Sequence, residues 1–401
     1  MNNEKGMVLV VAIMLIAVLL LIGATSVFVS NSDLKMSGNY RTGAQAFYIA
    51  DAGVERARDQ LRADIAANTV SQLLAARAGA DNALADSSSI SNFYSGESFT
   101  SDDVPYIAGT SFGAGTYRVY LTNDSTDGIT STTDTNKTVT LTSFAQGAGN
   151  SFVVVQAVVQ KPSVPPFPGA IVLPGPNVVF HGGNSNASSV EGGPESAVSL
   201  TSADAEATVE ANLISINRIK NYTCDAGKGE PCINNEPAQF SPQLTTVNGI
   251  ETLSSLFKSS ADSVITGGTG ADSYSLSEAQ VGTATNRKIV YVEGNATLGP
   301  VNGAGILVVT GQLILNGNFN YNGVIICIGQ GNLLRNGGGN GTITGAVYVA
   351  QTRDTSNAVL TTLGVPTYNT NGGGNTDIIY DPNAIDNAGG SKFVKLSWKQ
   401  F

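Results

Sequence analysis

The chain has few ionisable side chains, and acids outnumber bases. Of its 401 residues 13% are charged, and 21 Lys and Arg stand against 31 Asp and Glu, which gives a net charge of −10. Binding nucleic acid through a basic face needs clustered Lys and Arg for the phosphates. The composition therefore disfavours a nucleic-acid partner. Low charge together with 46 glycines favours an exported, β-rich protein with tight turns.

Residue types that carry common catalytic and metal chemistry are also scarce. The only histidine, His181, lies in a Gly/Asn-rich turn, and neither a P-loop nor a His-Glu-x-x-His motif occurs. Polysaccharide cleavage needs paired carboxylates, yet residues 288–350 contain one acid, Glu293. The loop 123–128 lacks the alternating oxygen ligands and the closing Glu of an EF-hand calcium loop. We therefore expect no enzyme activity, no cofactor and no metal site.

Three cysteines leave room for one disulfide. Cys224 and Cys232 flank a loop that contains Gly and Pro. In an oxidising compartment these two residues would form a local disulfide. A metal site is the alternative, but it would need further Cys or His ligands, so the disulfide is favoured. Cys327 lies in an apolar run and is predicted to be a small buried side chain.

One long hydrophobic run contrasts with this scarcity of charge. The stretch from Met7 to Ser32 contains no charged residue, and an apolar helix of about 20 residues spans the hydrocarbon core of a bilayer. A cleaved signal peptide would have a shorter apolar stretch and a small-residue cleavage site, for which residues 30–35 are a weak match. We predict a transmembrane helix over residues 7–29, with the rest of the chain on one side of the membrane.

The helix is predicted to continue beyond the membrane to residue 65. In residues 44–65 apolar side chains recur at helical spacing, and the charged side chains fall largely on the opposite face. The predicted apolar face consists of Ala44, Phe47, Tyr48, Val54, Ala57, Leu61 and Ile65. Residues 7–65 therefore read as one long helix, apolar in its first half and amphipathic in its second.

Two short motifs give this helix a family resemblance. Residues 36–41 read Met-Ser-Gly-Asn-Tyr-Arg, and residues 46–53 read Ala-Phe-Tyr-Ile-Ala-Asp-Ala-Gly. Together with the preceding apolar helix, they resemble the N-terminal region of PilX-type type IV pilus minor pilins over residues 1–65. The resemblance implies a non-enzymatic subunit of a type IV pilus or of a secretion pseudopilus.

The resemblance also implies a processing site. In that family a prepilin peptidase cuts after a Gly that ends a short charged leader. Here this places the cut between Gly6 and Met7, after Lys5, so residues 1–6 would be the leader. From the junction alone, a plain membrane anchor with an incidental glycine explains these residues equally well.

The partners and location that the resemblance implies follow from the same helix. They are the prepilin peptidase, other pilins or pseudopilins, and the inner membrane, with the body of the protein in the periplasm and later on the pilus or cell surface. The apolar face of residues 7–23, with Phe47 and Val54, would form the assembly contacts. Major pilins carry Glu at the fifth mature position, which here is Val11. This departure resembles minor or tip subunits.

A small β domain is predicted over residues 66–161. A helix after Thr69 would be followed by half-buried strands over residues 115–121, 138–144 and 151–160. These strands are predicted to form an antiparallel, pilin-like sheet that covers the apolar face of the helix. The Pro-rich segment 162–169 is predicted to be a semi-rigid extended linker.

Residues 170–401 have a different texture. Apolar quartets begin at residues 289, 306, 324 and 346, so they recur about every 20 residues between Gly/Asn-rich turns. Secondary strands are predicted between them over residues 296–298, 312–315 and 341–344. This pattern predicts a β-solenoid, in which each coil stacks its aliphatic side chains on the next. The alternative is a β-sandwich of Gly-linked hairpins.

Three further segments complete this predicted domain. Residues 170–184 would add an earlier coil. Helices over residues 202–213 and 248–257 would cover the side or the open end of the solenoid. The segment 392–401, which holds the only Trp, is predicted to pack on it as a last strand.

The predicted fold class is α+β: a transmembrane and amphipathic helix packed on a small antiparallel sheet, followed by a β-solenoid-like domain. The predicted function is that of a PilX-like minor pilin with a role in assembly priming, at the tip, or in adhesion, and with a surface or glycan ligand for the C-terminal domain. The alternative function is a permanently membrane-anchored, exported solenoid that binds or cleaves polysaccharide.

Overall fold

The computed structural model describes residues 4–65, 69–76, 105–183, 185–225, 232–336, 338–370, 374–390 and 392–401. The chain divides into two compact units, Met1–Gln160 with Lys395–Phe401, and Lys161–Val394. The helices α1 to α5 are Glu4–Asp64, Val70–Ala75, Ala203–Ser215, Val247–Ser260 and Pro382–Asp386. Short 3₁₀ turns are Ala148–Asn150, Ile219–Asn221, Pro237–Gln239 and Pro242–Leu244.

In chain order the strands β1 to β22 are Ile107–Phe112, Gly115–Asn123, Thr138–Gln146, Phe152–Gln160, Gly169–Leu173, Val179–His181, Val190–Glu191, Ser196–Leu200, Tyr222–Thr223, Ile233–Asn235, Ser263–Thr266, Tyr274–Leu276, Lys288–Glu293, Ala296–Leu298, Asn302–Val309, Gln312–Asn316, Phe319–Cys327, Asn332–Asn336, Asn340–Val349, Thr367–Asn369, Asn375–Tyr380 and Val394–Gln400.

The first unit is the long helix α1 on a sheet of order β1-β2-β3-β4-β22. The pairs β1–β2, β2–β3 and β3–β4 are antiparallel, and α1 packs across β2, β3 and β4. The three predicted strands are therefore present, and the helix covers the sheet as predicted. The short helix α2 begins after Thr69, whose side chain accepts a hydrogen bond from the backbone N–H of Gln72.

The prediction that residues 392–401 pack on the second unit is wrong. β22 lies beside β4, and the N–H of Phe401 donates to the carbonyl of Val154 at 3.0 Å. The Trp398 and Phe47 rings meet edge to face, with centroids 5.5 Å apart. An alternating strand pattern suits any sheet edge, so contacts remote in sequence decide where the strand lies. In the chain, the second unit is thus an insertion between β4 and β22.

The Pro-rich segment 162–169 is not a spacer. Val164 and Phe167 are buried in an apolar cluster of the second unit, and the Phe167 ring stacks on Tyr348 with centroids 5.7 Å apart. Proline restrains the backbone to extended geometry, but it leaves the two large apolar side chains free to be buried. The division between the units falls between Gln160 and Lys161, and no separate linker intervenes.

The second unit is built on two parallel sheets. The larger contains the run β10-β8-β5-β19-β17-β15-β13-β11, and the other has the order β12-β14-β16-β18-β20-β6. From β13 to β18 successive strands alternate between the two sheets, and each pairs in parallel with the strand two places on. The described strand pairs of this unit contain none of the antiparallel hairpins that the alternative β-sandwich requires.

Both faces of the quartet strands are buried, which explains why the quartets are continuously apolar. Alternate side chains, such as Val290 and Leu307, join the cluster between the sheets, while their neighbours Ile289 and Ile306 join a second cluster outside. α4 closes that outer cluster with buried residues that include Phe257. Cys327 is buried as predicted, and burial raises the pKa of its thiol.

The predicted secondary strand at residues 341–344 is wrong, because these residues are the first half of β19. The strand equivalent to β14 and β16 is β18, which pairs with β16. Because Gly345 interrupts the apolar pattern, the sequence predicted two strands where the structure has one. It has a φ of 137° and lies in register with Gly323 and Gly305, which have similar angles. Each long strand thus bends at a glycine.

The segment predicted to form an earlier coil contains β5, which stacks on the last quartet strand, β19. In the stack it does not precede the first quartet strand, β13. β5 pairs with the second half of β19, and β21 pairs with the first half. Two segments far apart in the chain therefore complete one layer. From β5 the stack continues through β8 to β10, and the chain re-enters it at the opposite edge, β11.

Both predicted helices of this unit are present. α3 begins after Ser202 and α4 after Thr246, and each of these side chains accepts a hydrogen bond from a backbone N–H of the first turn. Val209 and Leu213 of α3 are buried in the cluster between the sheets, whereas α4 lies outside the larger sheet. The helices cover different parts of the parallel stack.

Substitution of Gly323 by valine tests the stacked glycines. A Cβ at this position would strike the carbonyl oxygen of Gly305, and its φ of 138° disfavours any side chain. We expect Gly323→Val to destabilise the second unit by roughly 2 kcal/mol or more. Denaturant unfolding of the full chain in detergent, followed by far-UV circular dichroism, measures this.

The matched control is Gly338→Val. Gly338 has no atom within 4 Å of its added Cβ and no positive φ, so the control should unfold like the wild type. Trp398, the only tryptophan, lies in the first unit, and its fluorescence should be unchanged by both variants. Equal stability of Gly323→Val and wild type would contradict the role of the glycine.

The ion pair between Glu251 of α4 and Arg353 makes stability depend on pH. Arg353 Nη2 lies 2.6 Å from Glu251 Oε2 and Nε lies 3.1 Å from Oε1, while the Thr352 hydroxyl donates to Oε1 at 2.7 Å. Burial works to raise the pKa of the Glu251 carboxyl, but these hydrogen bonds hold it below its ordinary value. A lowered folded-state pKa means stability that is present above the ordinary pKa and lost as pH falls.

We therefore expect Glu251→Gln to lower the free energy of unfolding by about 1 kcal/mol at pH 7. The difference from the wild type should shrink as pH falls below the ordinary Glu pKa, about 4.3, and disappear once pH has fallen through the lower pKa of the folded state. Denaturant titrations at several pH values measure it. Glu293→Gln, at an exposed ion pair with Lys258, is the control and should show a smaller effect. A difference that stayed constant with pH would contradict this account.

Candidate functional site

The first half of α1 is an exposed apolar rod. From Leu9 to Val29 its large apolar side chains are more than half exposed. Within the described residues α1 is the one helix long and apolar enough to cross a membrane. Such exposure costs free energy in water and none in lipid, so this half of the helix requires an apolar environment.

The predicted processing residues Lys5, Gly6 and Met7 lie in the first two turns of α1. The backbone there is helical, and their side chains are outside the described part of the chain. Cleavage at this junction stays a prediction.

The second half of α1 contacts the sheet through a stripe that includes several small residues. Its buried members are Ala46, Ile49, Ala50, Gly53, Val54, Ala57 and Leu61. A Cβ on Gly53 would strike the Ser143 hydroxyl and lie 2.9 Å from the Tyr117 ring. Small side chains at these positions let the helix axis approach the strands closely. The motif over residues 46–53 therefore has a packing reason.

This stripe corrects the predicted apolar face. Tyr48 is 67% exposed, whereas Val54 is 0% exposed and packs within its own unit. Val54 therefore does not form a contact with another subunit as predicted. Phe47 is partly buried, and its ring contacts Trp398. The prediction gave weight to large apolar residues, while the signal for the interface lay in alanine and glycine at the same spacing.

Charged residues beside the stripe orient the C-terminal strand. Lys395 Nζ of β22 lies 2.9 Å from Glu55 and 3.8 Å from Asp51, and Arg58 lies 2.6 Å from Glu55. All four side chains are partly exposed, so these pairs add little to stability. Lys395 and Trp398 each contact α1, at Glu55 and Phe47, so β22 meets the helix at two points.

These features identify the helix when they are set beside known proteins. Residues 5–55 match the family model described as PilX N-terminal. Over these residues the helix is similar to the N-terminal segment of the PilX family. The match ends within α1, so it covers the apolar half of the helix and most of the small-residue stripe, and none of the strands.

The comparison with solved structures gives a match of low similarity. The crystal structure of the competence-associated pilin ComZ from Thermus thermophilus is 12% identical, over 90% of this chain and 98% of that chain, with a TM-score of 0.21. At that score the similarity supports no argument about fold or function. No curated protein matches the sequence.

The first half of α1 has no acid at Val11, the position where the sequence resemblance places the glutamate of major pilins. Val11 is 54% exposed among other apolar side chains, and the next acid after Met7 is Asp33. A span of more than five helical turns separates them. No carboxylate in this span of the sequence is available to pair with the N-terminus of a neighbouring subunit.

Other residues singled out in the sequence lie in the second unit. Cys224 and Cys232 are joined by a disulfide with the sulfurs 2.01 Å apart. His181 is exposed at the end of β6, with Nδ1 3.4 Å from the amide nitrogen of Asn212. Neither site has the arrangement of a catalytic group. Among the described residues, no nucleophile or carboxylate is hydrogen-bonded to the His181 imidazole.

The loop at residues 123–128 uses its oxygens internally. Asp124 accepts hydrogen bonds from the N–H groups of Thr126 and Asp127, and from the side-chain amide of Asn136. Within the described residues no group of three or more His, Cys, Asp and Glu side chains is placed to hold a metal ion. The loop is thus a hydrogen-bonded turn at the end of β2.

Gly53→Val tests the close contact between helix and sheet. The added side chain would meet Ser143 and Tyr117, and overpacking of this kind costs about 1–3 kcal/mol. We expect the unfolding transition followed by Trp398 fluorescence to move to a lower denaturant concentration, because Trp398 reports on the contact between β22 and α1. Gly43→Val on the same helix is the control, since nothing lies within 4 Å of its Cβ. Identical unfolding of the two variants would contradict the close contact.

Proposed function

We propose that the protein is a minor-pilin-type subunit of a type IV pilus or of a secretion pseudopilus. The observation that carries this is the construction of α1. Its first half is exposed and apolar, its second half docks on a sheet through the small residues of a pilin motif, and residues 5–55 match the PilX N-terminal family model. The apolar half first holds the protein in the inner membrane, with both units in the periplasm, and then packs among other pilin helices.

We further propose that the second unit is a β-solenoid. Its support is the parallel, in-register pairing of β13, β15, β17 and β19, and the glycines in register at the bend of three of these strands. Stacked backbone layers of this kind give a stiff domain with long outer faces. The disulfide between Cys224 and Cys232 suits an oxidising compartment such as the periplasm.

The proposed role is non-enzymatic: priming of assembly, a position at the tip, or adhesion. Val11 occupies the position at which major pilins carry Glu. This favours a subunit that has no other subunit ahead of it in the filament. The size of the inserted unit, Lys161–Val394, favours a site where bulk does not obstruct packing along a filament. Adhesion would use an outer face of the inserted unit.

A second candidate function, a permanently anchored polysaccharide-binding protein, is favoured by one observation. An outer groove of the second unit is lined by amide and hydroxyl side chains. Of the described residues that line it, Glu278 is the only carboxylate, so binding fits this groove better than cleavage by a carboxylate pair.

The mature N-terminus separates the two functions. We expect that co-expression with a prepilin peptidase yields a chain that begins at Met7, and that Gly6→Lys abolishes this cleavage. Intact-mass measurement of the membrane fraction, with and without the peptidase, reads the result. Asn3→Lys, which adds the same charge away from the junction, is the control and should still be cleaved.

Two outcomes count against the proposal. An intact Met1 in the presence of active peptidase would contradict the pilin role and favour the second candidate, a permanently anchored polysaccharide-binding protein. A start near residues 31–35 would mean that the apolar helix is a removed signal peptide.

A further inference from the structure

One exposed face of the larger parallel sheet is polar but almost uncharged. Before their glycine bends, β15, β17 and β19 turn alternate side chains outward. In register these form two rows across the strands: Asn302, Asn320 and Thr342, and Ala304, Asn322 and Thr344. Ala304 is buried, and the other five side chains are exposed or partly exposed. Beyond the bend, the same face of the same strands is apolar and covered. The uncovered half is therefore chemically distinct.

A loop makes this face concave. Residues 277–287, between β12 and β13, form one wall of a groove of about 290 Å³, to which Glu278, Thr283 and Ala284 contribute. Hydrogen bonds hold the loop in two places. Near its start, Gln280 donates to the Tyr274 hydroxyl at 2.8 Å, and Lys288 Nζ donates to the carbonyl of Ala279 at 2.6 Å. Farther along, the backbone N–H groups of Thr283 and Asn286 each donate to the carbonyl of the other residue at 3.0 Å. A groove with a fixed wall loses little conformational entropy when a ligand binds.

Hydrogen bonds orient the two asparagines of β17. The Asn320 amide donates to Asn302 Oδ1 at 2.9 Å, which leaves Asn320 Oδ1 as an acceptor toward the groove. Arg287 donates to Asn322 Oδ1 at 2.5 Å, which leaves the Asn322 amide nitrogen as a donor. An oriented acceptor and an oriented donor thus stand two residues apart on one strand, about 7 Å from each other.

We propose that this groove binds an uncharged carbohydrate. Alcohol groups donate and accept at once, so they satisfy both oriented amides and the hydroxyls of Thr342 and Thr344. Ala284, which is exposed, offers small apolar surface to the C–H face of a sugar ring. Carbohydrate binding by the groove does not itself require the pilin role. It rests on the proposed function in one respect, which is that the carbohydrate would be the ligand through which the second unit adheres.

The local charges argue against an anionic ligand. Glu278 lines the groove and accepts from the Asn302 amide at 3.2 Å. Arg287, beside the groove, is already engaged by the side-chain and backbone oxygens of Asn322, and Lys288 by the carbonyl of Ala279. The whole chain carries a net charge of −10. The described residues that line the groove include no cation, so a uronate or sialylated glycan would gain no ion pair from the lining.

The test uses the full chain in a zwitterionic detergent, because glycoside detergents would compete. Binding is measured by isothermal titration against the neutral oligosaccharides cellotetraose, maltotetraose and fully N-acetylated chitotetraose, and against the charged sialyllactose and tetragalacturonate. We expect at least one neutral oligosaccharide to bind, and the charged ones to bind at least about tenfold more weakly or not at all.

Variants locate the site. Asn320→Ala and, separately, Thr342→Ala should each weaken binding about tenfold. Asn336→Ala is the matched control, because Asn336 is also exposed on a parallel strand, β18, and lies outside the groove. A thermal melt equal to that of the wild type shows that each variant is folded. Two different substitutions keep the test decisive if one of them disturbs the sheet.

Three results would overturn the inference. They are no binding of any neutral oligosaccharide, preference for the charged ones, or equal binding by wild type and both groove variants. Cleavage at Gly6 is read separately by mass. A correctly processed chain that binds no sugar would refute only the groove, and an unprocessed chain that binds sugar would refute only the pilin role.

Discussion

The close contact between α1 and the antiparallel sheet is the interaction on which the rest of the molecule depends. Small residues on one side of the helix, Ala46, Ala50 and Gly53 above all, let it lie directly on β2, β3 and β4. The same helix also receives β22 through Trp398 and Lys395. The chain leaves this sheet at β4 and returns to it at β22, so both ends of the inserted unit are secured by elements that pack on one helix.

The inserted unit uses a different source of stability. Its described strands are each hydrogen-bonded to a parallel neighbour on the next layer, and the quartet strands bury both faces. Because stacking needs matched bends, glycines with positive φ recur at equivalent positions in β15, β17 and β19. Polar outward side chains remain where no helix covers the sheet. Stability and a polar outer surface therefore come from different halves of the same strands.

Local patterns predicted the local structure well, and long-range placement poorly. The long helix, the three strands after it, the two helices of the second unit and the four quartet strands appear where they were expected, because each depends on neighbours in the sequence. The positions of β22, of residues 162–169 and of residues 170–184 depend on partners far along the chain, and these were misplaced. Val54 was assigned to the wrong interface because large side chains outweighed the small ones around it. The groove was not foreseen, since it arises only when register aligns asparagines from separate layers.

The layer that β5 and β21 share has a consequence for the order in which the chain is made. Strands β5, β6 and β8 are synthesised early, yet the layer on which they stack is completed only by residues up to Tyr380. Synthesis runs from the N-terminus, whereas stacking must join early strands of this unit to strands made about 200 residues later. The early strands therefore have open edges until β19 and β21 have been made. Folding of this unit cannot keep pace with its synthesis strand by strand.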